Sequence, residues 1–239
     1  MKNLKFTIAC LLFTTLTFAS VNIKQKKALI ALYNSTNGSA WNTKWDLNKP
    51  VASWHGITVQ HDRVTKISLP FNNLKGTLPK AIGDLTSLTH LNLGFNKLHG
   101  SLPESIIKLK ELKSLELFMN AFTGEIPETL ATLNKLEYLK LYANKFTGEI
   151  PESLMRLTNL KELLLGSNFI TGKIPNSIKN LVKLEKFSVM DNKMEGQVPV
   201  GIAKLVHLKE LLLSSNSFTG ASPTQFVNLK NVVSNAVAT

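Results

Sequence analysis

Apolar and polar residues alternate along most of this chain in a pattern that returns every 24 residues. One unit, residues 91–103, reads LNLGFNKLHGSLP, and similar units follow it without a change of spacing. The alternation in its first half predicts a short strand with one buried face. A fixed period in this range predicts a solenoid, in which each unit buries its apolar side against its neighbours.

Three positions recur with the same spacing and predict how each unit turns. The Asn side chain is expected to point inward and to bond the backbone of the bend and of adjacent units. A Gly four residues later allows the special backbone angles of the next bend, and a Pro precedes a short helical segment such as 128–133. The asparagines are Asn72, Asn96, Asn120, Asn144, Asn168, Asn192 and Asn216.

The period divides the chain into four segments. Seven units of 24 residues fill 64–231, residues 20–63 are expected to form an N-terminal cap, and residues 232–239 a C-terminal cap strand. Residues 1–19 have two lysines, an apolar run and then small residues, which predicts a secretory signal peptide cleaved after Ala19. We therefore expect an exported protein, secreted, periplasmic or on the cell surface, with no transmembrane segment in the mature chain.

The predicted cap combines a helix with all three tryptophans of the chain. Apolar residues at 28, 29, 32 and 33 have helical spacing, and the run NSTNGS at 34–39 is expected to end the helix. Trp41, Trp45 and Trp54 follow within fourteen residues. A ring-stacking platform for a sugar is one interpretation, but we favour a cap, because the first unit of a solenoid exposes an apolar end and Trp buries a large area.

The motif L-x-G-x-[IL]-P, as in FTGEIP at 122–127, resembles the plant-specific class of leucine-rich repeats, which includes receptor-kinase ectodomains and polygalacturonase-inhibiting proteins. Segment 28–57 is similar to the N-terminal domain before such repeats. The resemblance implies a curved α/β repeat solenoid with a parallel β-sheet on the concave face. It also implies short 3-10 or helical segments on the convex side and a helical N-terminal cap.

One departure from that class concerns the source of the chain. Plant relatives usually carry a cysteine pair in the cap, and this chain has Ser53 and Val59 near those places. A cap without cysteines, a lysine-rich composition and a short leader resemble an exported bacterial relative.

Charge and composition exclude several function classes. The formal net charge is +12, and Arg occurs only at 63 and 156. Because Arg is the main residue of base readout, this argues against sequence-specific nucleic-acid binding. The single cysteine, Cys10, lies in the predicted leader, and no two histidines have the spacing of metal ligands. We expect no enzyme, no catalytic residue, no cofactor and no metal site.

The outward-facing positions of the predicted strands supply the candidate binding residues. Large apolar groups cluster in the first four units and have polar neighbours. An exposed aromatic cluster with a polar rim is typical of a binding patch, so we predict a protein or peptide partner. The candidates on the predicted concave face are Phe71, Phe95, Phe118, Met119, Tyr138 and Tyr142, with Lys140, Glu116 and His90 beside them.

Other functions stay open at this stage. The lysine-rich flanks could attach the protein to a polysaccharide or an anionic cell surface, which would be sensitive to salt, and a structural or adhesive role is a further alternative. A ladder of Thr123, Thr147, Thr171 and Thr219 resembles ice-binding arrays, although Lys75, His99 and Glu195 interrupt it.

Overall fold

The computed structural model describes residues 21–219 and a strand at 233–235, and the predicted signal peptide lies outside these residues. In this part of the chain, nine strands form one sheet, in which the first pair is antiparallel and the rest are parallel. The strands in spatial order are β1 (Ile57–Gln60), β2 (Arg63–Ser68), β4 (His90–Asn92), β6 (Ser114–Glu116), β8 (Tyr138–Lys140), β10 (Glu162–Leu164), β11 (Lys186–Ser188), β13 (Glu210–Leu212) and β15 (Val233–Asn235).

A buried central residue, Leu in most strands from β2 to β13, sets the register of this sheet. Leu91 lies opposite Ile67 on one side and Leu115 on the other, and all three are completely buried. Their neighbours in the strands point to the opposite, solvent-facing side, which is called the sheet face below. One buried side chain from each repeat therefore adds to a continuous core, as a stacked solenoid requires.

Each repeated asparagine closes the bend after its strand, as predicted. Asn144 Nδ2 donates to the carbonyls of Leu117 and Leu141, at 3.0 Å each, and its Oδ1 accepts from the Phe122 N–H at 3.0 Å. Leu117 and Phe122 belong to the preceding repeat, so one amide ties two repeats together. In the first repeat the cap replaces the missing neighbour, because Asn72 bonds both the N–H and the carbonyl of Thr43.

Beyond the bend, most of the described repeats continue with a shorter strand and a 3-10 helix. The second group of strands is β3 (Lys75–Gly76), β5 (Lys97–Gly100), β7 (Ala121–Glu125), β9 (Lys145–Thr147), β12 (Glu195–Gln197) and β14 (Ser217–Thr219). The 3-10 helices of the repeats are Lys80–Asp84, Glu104–Lys108, Glu128–Thr132, Glu152–Arg156, Asn176–Asn180 and Val200–Lys204. Gly124 has a φ of +81°, which explains the glycine at that position. The α/β repeat solenoid predicted from the period is confirmed.

The N-terminal cap consists of helix α1 (Ile23–Ser35), short 3-10 turns at Gly38–Ala40 and Val51–Ser53, and an aromatic cluster. Trp41, Trp45 and Trp54 are only 2–4% exposed. The Trp45 ring centroid lies 4.8 Å from those of Trp41 and Trp54, and each indole N–H donates to a backbone carbonyl. The tryptophans thus fill the end of the core and are not available as a platform for a ligand.

Strand β1 is an element that the sequence interpretation missed. It forms a hairpin with β2 through His61 and Asp62, which both have positive φ (48° and 61°). Two-residue hairpin turns with both central φ values positive usually contain Asn-Gly or Asp-Gly. His-Asp lacks that glycine, so the turn was not visible as a hairpin signal.

Candidate binding surface

Four aromatic rings from four successive repeats form a continuous row on the sheet face. The ring centroids of Phe71 and Phe95 lie 3.9 Å apart and nearly parallel, and those of Phe118 and Tyr142 lie 4.8 Å apart and nearly parallel. Phe95 and Phe118 meet edge to face at 5.3 Å. We call Phe71, Phe95, Phe118 and Tyr142 the aromatic ladder. The structure thus brings together four of the six predicted apolar residues.

The backbone after each strand determines where these rings stand. The residue just before each repeated asparagine has a left-handed conformation, with φ between 51° and 57°, whether it is Phe, Met, Ala, Ser or Asp. Such a conformation costs an L-residue about 1–2 kcal/mol, and the inward-bonded asparagine that follows it holds the bend in place. Phe71 and Phe95 occupy this position, while Phe118 and Tyr142 occupy the residue before it. The two pairs therefore meet at the edge of the sheet face.

A glycine in the second repeat makes room for the central ring of the ladder. A Cβ added to Gly94 would lie 2.6 Å from Phe118 Cζ, which is closer than such contacts allow. The Phe118 ring therefore lies directly over the Gly94 backbone. Because stacked and edge-to-face pairs contribute about 0.5–1.5 kcal/mol beyond their burial, the ladder is a preformed surface rather than a set of independent side chains.

Exposure shows which part of the ladder can contact a partner. Phe71 is 62% exposed and Met119, beside the ladder, is 42% exposed, while Phe95, Phe118 and Tyr142 are half-buried. Each ring has one face covered by its stacking partner. The ladder therefore offers ring edges and the open end at Phe71, a shape that suits aliphatic or aromatic side chains better than flat sugar rings.

The remaining predicted residues lie outside the ladder. Lys140 forms ion pairs with Glu116 at 3.8 Å and with Glu162 at 3.0 Å. Its ammonium and that of Lys161 lie 5.6 and 5.8 Å from the centroid of the Tyr138 ring, within cation–π distance. Burial opposes the charged form of Lys140, but the hydrogen bond and charge of Glu162, with the charge of Glu116, raise its pKa.

These ion pairs belong to a larger network on the later repeats, which the sequence interpretation missed. Lys186 lies 3.9 Å from Glu162 and 3.7 Å from Glu210, and an adjoining row pairs Lys161 with Glu137 at 2.7 Å and Lys209 with Glu185 at 2.5 Å. We call these residues, with Glu116 and Lys140, the charge network. Alternating Lys and Glu at 24-residue spacing, from Lys113 through Glu137 to Lys161, was the available signal.

His90 lies on the sheet face of the second repeat, in the strand next to that of Glu116. Its Nδ1 is 2.8 Å from Thr89 Oγ1. Burial lowers the pKa of His90, and the positive charges of Lys66 and Lys113 lower it further, against weaker opposing contributions from Glu116 and Glu137. At His90, the positive charges of these two lysines therefore outweigh the negative charges of the two glutamates.

Two further properties apply to the part of the chain that the structure describes. No group of three or more His, Cys, Asp or Glu side chains there is arranged to hold a metal ion. None of the described helices is long and apolar enough to cross a bilayer.

Two family models, both described as leucine rich repeats, match the chain, one at residues 62–122 and the other at 135–157, 159–181 and 207–229. The PEPR1–AtPEP1 structure shares 32% identity, with a TM-score of 0.79 over 89% of this chain and 31% of that chain. The plant peptide hormone receptor RGFR1 in complex with RGF2 shares 31% identity, with a TM-score of 0.59 over 67% of this chain and 30% of that chain. A plant ice-binding protein shares 28% identity, with a TM-score of 0.74 over 82% and 72%.

This chain spans about a third of the length of the PEPR1–AtPEP1 and RGFR1 chains that it matches, at 31% and 30%. The ranges that the family models match contain the repeated strand and asparagine bend seen in the structure. The chain belongs to the leucine-rich repeat proteins.

Proposed function

We propose that this chain is a non-enzymatic binding module that presents the aromatic ladder to a protein or peptide partner. The continuous row of four rings on the sheet face is the observation that carries this proposal. Its exposed edges supply apolar area, each Å² of which contributes about 25 cal/mol when removed from water. A stacked sheet that is already ordered loses little conformational entropy on binding, so a few buried anchors suffice.

The structural relatives support a peptide as partner. RGFR1 is a plant peptide hormone receptor, and its match covers 67% of this chain. The charged groups of the later repeats are engaged with each other in the charge network, which favours a binding role over acid–base chemistry. Since this chain matches only part of each receptor, the likeness supports the class of partner rather than a particular one.

The proposal also covers where the protein acts and which class of leucine-rich repeat it contains. We propose that residues 1–19 direct export and that the repeats belong to the class with the L-x-G-x-[IL]-P motif. The cap of this chain is held by buried tryptophans without cysteines. That supports the hypothesis of a bacterial relative of the plant proteins, acting outside the cytoplasm.

Attachment to a polysaccharide or anionic cell surface through lysines is the first alternative, and a purely structural or adhesive role is another. Each lysine of the charge network has a Glu partner within 4 Å, which leaves little free positive charge there. These lysines are Lys140, Lys161, Lys186 and Lys209. The lysine alternative therefore depends on the remaining lysines and predicts that salt abolishes binding.

Ice binding is a second candidate, favoured by the likeness to a plant ice-binding protein. Thr123, Thr147 and Thr171 are exposed in three successive repeats, but Thr171 Oγ1 also donates to the Gly148 carbonyl at 3.2 Å and Glu195 follows in the row. If this candidate holds, wild type inhibits ice recrystallisation and Thr147→Lys does not. Equal behaviour of the two variants would exclude it.

A capture experiment tests the main proposal. Wild type is compared with Phe118→Ala/Tyr142→Ala and with the matched control Leu164→Ala/Leu212→Ala, which removes apolar groups from the other end of the sheet face. We expect the ladder variant to lose partners from cell-envelope and culture material that wild type and control retain in high salt. Circular dichroism verifies that all three fold. Retention by the ladder variant, or loss of all capture in salt, overturns the proposal.

A further inference from the structure

We infer that the partner at the aromatic ladder is an acidic peptide segment, whose apolar side chains contact the rings and whose carboxylates meet lysines beside them. This inference rests on the proposed function and adds the chemistry of the partner. It follows from the distribution of compensated and uncompensated charge on the sheet face.

A shallow depression joins an ammonium group to the open end of the ladder. It is lined by Phe71, Phe95 and Lys97, together with Asn42, Asn73 and Asn96. Lys97 Nζ donates to Asn73 Oδ1 at 2.9 Å, and this partner is neutral. A ligand whose apolar group contacts these two rings therefore places its neighbouring atoms beside the Lys97 ammonium, whose charge is not balanced.

Other lysines extend this positive region on both sides of the ladder. Lys145 occupies in the fourth repeat the position that Lys97 has in the second, Lys66 lies on the sheet face of the first repeat, and Lys113 lies just before strand β6 of the third. Among the residues that the structure describes, no carboxylate lies within 4.0 Å of any of these four ammonium groups. The lysines of the charge network, in contrast, all have such partners.

The spacing of the ladder fits a short extended peptide. Neighbouring strands lie about 4.8 Å apart, so four repeats cover roughly 14 Å, the length of about four or five extended residues. Lys97 and Lys145 are two repeats apart, about 10 Å, which matches carboxylates about three residues apart in the ligand. The expected segment therefore has two acidic residues separated by apolar ones.

Two other occupants fit the surface less well. A sugar chain stacks on open ring faces, but one face of each ladder ring is covered by its neighbour. A second copy of this chain would bring two lysine-rich regions together, which like-charge repulsion opposes. An acidic peptide satisfies both the ring edges and the lysines.

The test selects peptides from a displayed library of random 12-residue sequences on immobilised wild type. Selected sequences are synthesised, and their affinities are measured for wild type and three variants at low and high salt. The ladder variant is Phe118→Ala/Tyr142→Ala, and the lysine variant is Lys97→Gln/Lys145→Gln. The matched control, Lys108→Gln/Lys204→Gln, removes the same charge from exposed 3-10 helix positions on the other side.

We expect selected peptides to be enriched in Asp and Glu near Leu, Phe or Trp. The lysine variant is expected to weaken their binding about three- to tenfold, as two exposed charge contacts allow, and high salt to weaken wild-type binding similarly. The charge control is expected to change affinity less than twofold.

The outcomes separate this inference from the proposed function. Peptides that depend on Phe118 and Tyr142 but show no acidic enrichment and no dependence on the lysine pair would overturn the inference and leave the proposed function standing. No selected peptide that depends on the ladder would overturn both. Competition for the ladder by polygalacturonate, with no peptide selected, would instead assign an acidic polysaccharide.

Discussion

The two ends of the sheet face have the same scaffold and opposite chemistry. In repeats one to four, aromatic rings pack against each other, and Lys66, Lys97, Lys113 and Lys145 have no carboxylate among the described residues within 4.0 Å. In repeats three to seven, Lys and Glu alternate in pairs, and small residues such as Gly166 and Ser214 replace the rings. The two regions meet at Tyr142 and Lys140. The buried leucines and asparagines are the same in both.

This difference shows how the repeat separates folding from recognition. The buried positions stay apolar, because each one contacts the equivalent residue in the next repeat, although Leu is replaced by Ile67, Phe187 and Val189 at some of them. The exposed positions are free to vary, and only the ladder end combines apolar area with unbalanced charge. At the charge network end the Lys and Glu side chains pair with each other, so less unpaired charge remains there to bind a partner. The comparison leads to four predictions, from the largest expected effect to the smallest.

The shared scaffold predicts equal losses at equivalent asparagines. Asn120 Nδ2 bonds the Leu93 carbonyl at 2.9 Å, and Asn168 Nδ2 bonds the Leu141 carbonyl at 3.1 Å, each with further bonds to its own bend. Replacing either by Ala leaves several backbone groups unpaired, at about 1–3 kcal/mol for each buried group. We expect Asn120→Ala and Asn168→Ala each to lose about 2–4 kcal/mol in urea unfolding. Losses that differ by more than about 1.5 kcal/mol would contradict an equivalent scaffold.

The second prediction uses two glycines at the same position of different repeats. Gly94→Ala forces Cβ against the Phe118 ring, whereas Gly166→Ala meets Met190 Cγ at 3.0 Å and its carbonyl at 3.1 Å. Overpacking lowers the free energy of unfolding by about 1–3 kcal/mol. Alanine also restricts the unfolded chain, which raises the free energy of unfolding by about 0.4–1 kcal/mol. We expect Gly94→Ala to destabilise by about 1–2 kcal/mol and to weaken ladder-dependent capture.

At Gly166 the three nearest atoms (Met190 Cγ, the Met190 carbonyl oxygen and Ser188 Oγ) would lie at 3.0–3.1 Å and need to move by only a few tenths of an ångström, so Gly166→Ala is expected to change stability by less than about 1 kcal/mol. It should leave capture intact. If both alanine variants bind the partner as wild type does, the placement of the Phe118 ring over residue 94 does not matter for recognition.

The sequence predicted the scaffold well because its physical signals repeat. Every Asn and Gly recurs in the same place with the same role, as Asn144 and Gly124 show. The left-handed residue before each asparagine escaped notice, because Phe95, Met119 and Ala143 share no side-chain property that favours that conformation. It is imposed by the bend that the asparagine holds, which is a tertiary effect.

For the candidate surface, the sequence showed which large residues lie near one another but not how they pair. The predicted cluster included Tyr138 and Lys140, which in the structure contact each other and the charge network. The edge-to-face contact of Phe95 with Phe118 depends on side-chain directions at two different positions of the repeat. Ion pairs between repeats could have been found by reading charged columns at 24-residue spacing.

The third prediction concerns acid stability of the charge network. Hydrogen bonds from Lys161 and Lys209 lower the pKa of Glu137 and Glu185 below the ordinary value of 4.5. Because the folded pKa is lowered, these pairs stabilise the protein above pH 4.5, and their contribution disappears as the pH falls below that value. We expect Glu137→Gln/Glu185→Gln to reduce the decline of the free energy of unfolding between pH 5 and 3. An unchanged decline in urea titrations would show that the pairs are not linked to folding.

The fourth prediction concerns the pKa of His90 at the ladder end, which is shifted for a different reason. Burial and the charges of Lys66 and Lys113 lower the pKa of His90 below 6.5, against opposing charges on Glu116 and Glu137. The folded protein therefore resists protonation of His90. Above pH 6.5 this residue is neutral in both the folded and the unfolded chain. As the pH falls through its folded pKa, it reduces the free energy of unfolding. In an NMR titration we expect the His90 pKa below 6.5 and a rise in Lys66→Gln. The matched variant Lys186→Gln removes a lysine that is paired with Glu162 and Glu210 and should leave His90 unchanged. If the His90 pKa does not change in Lys66→Gln, the positive charge at the ladder end is screened. An acidic partner would then gain no affinity from that charge.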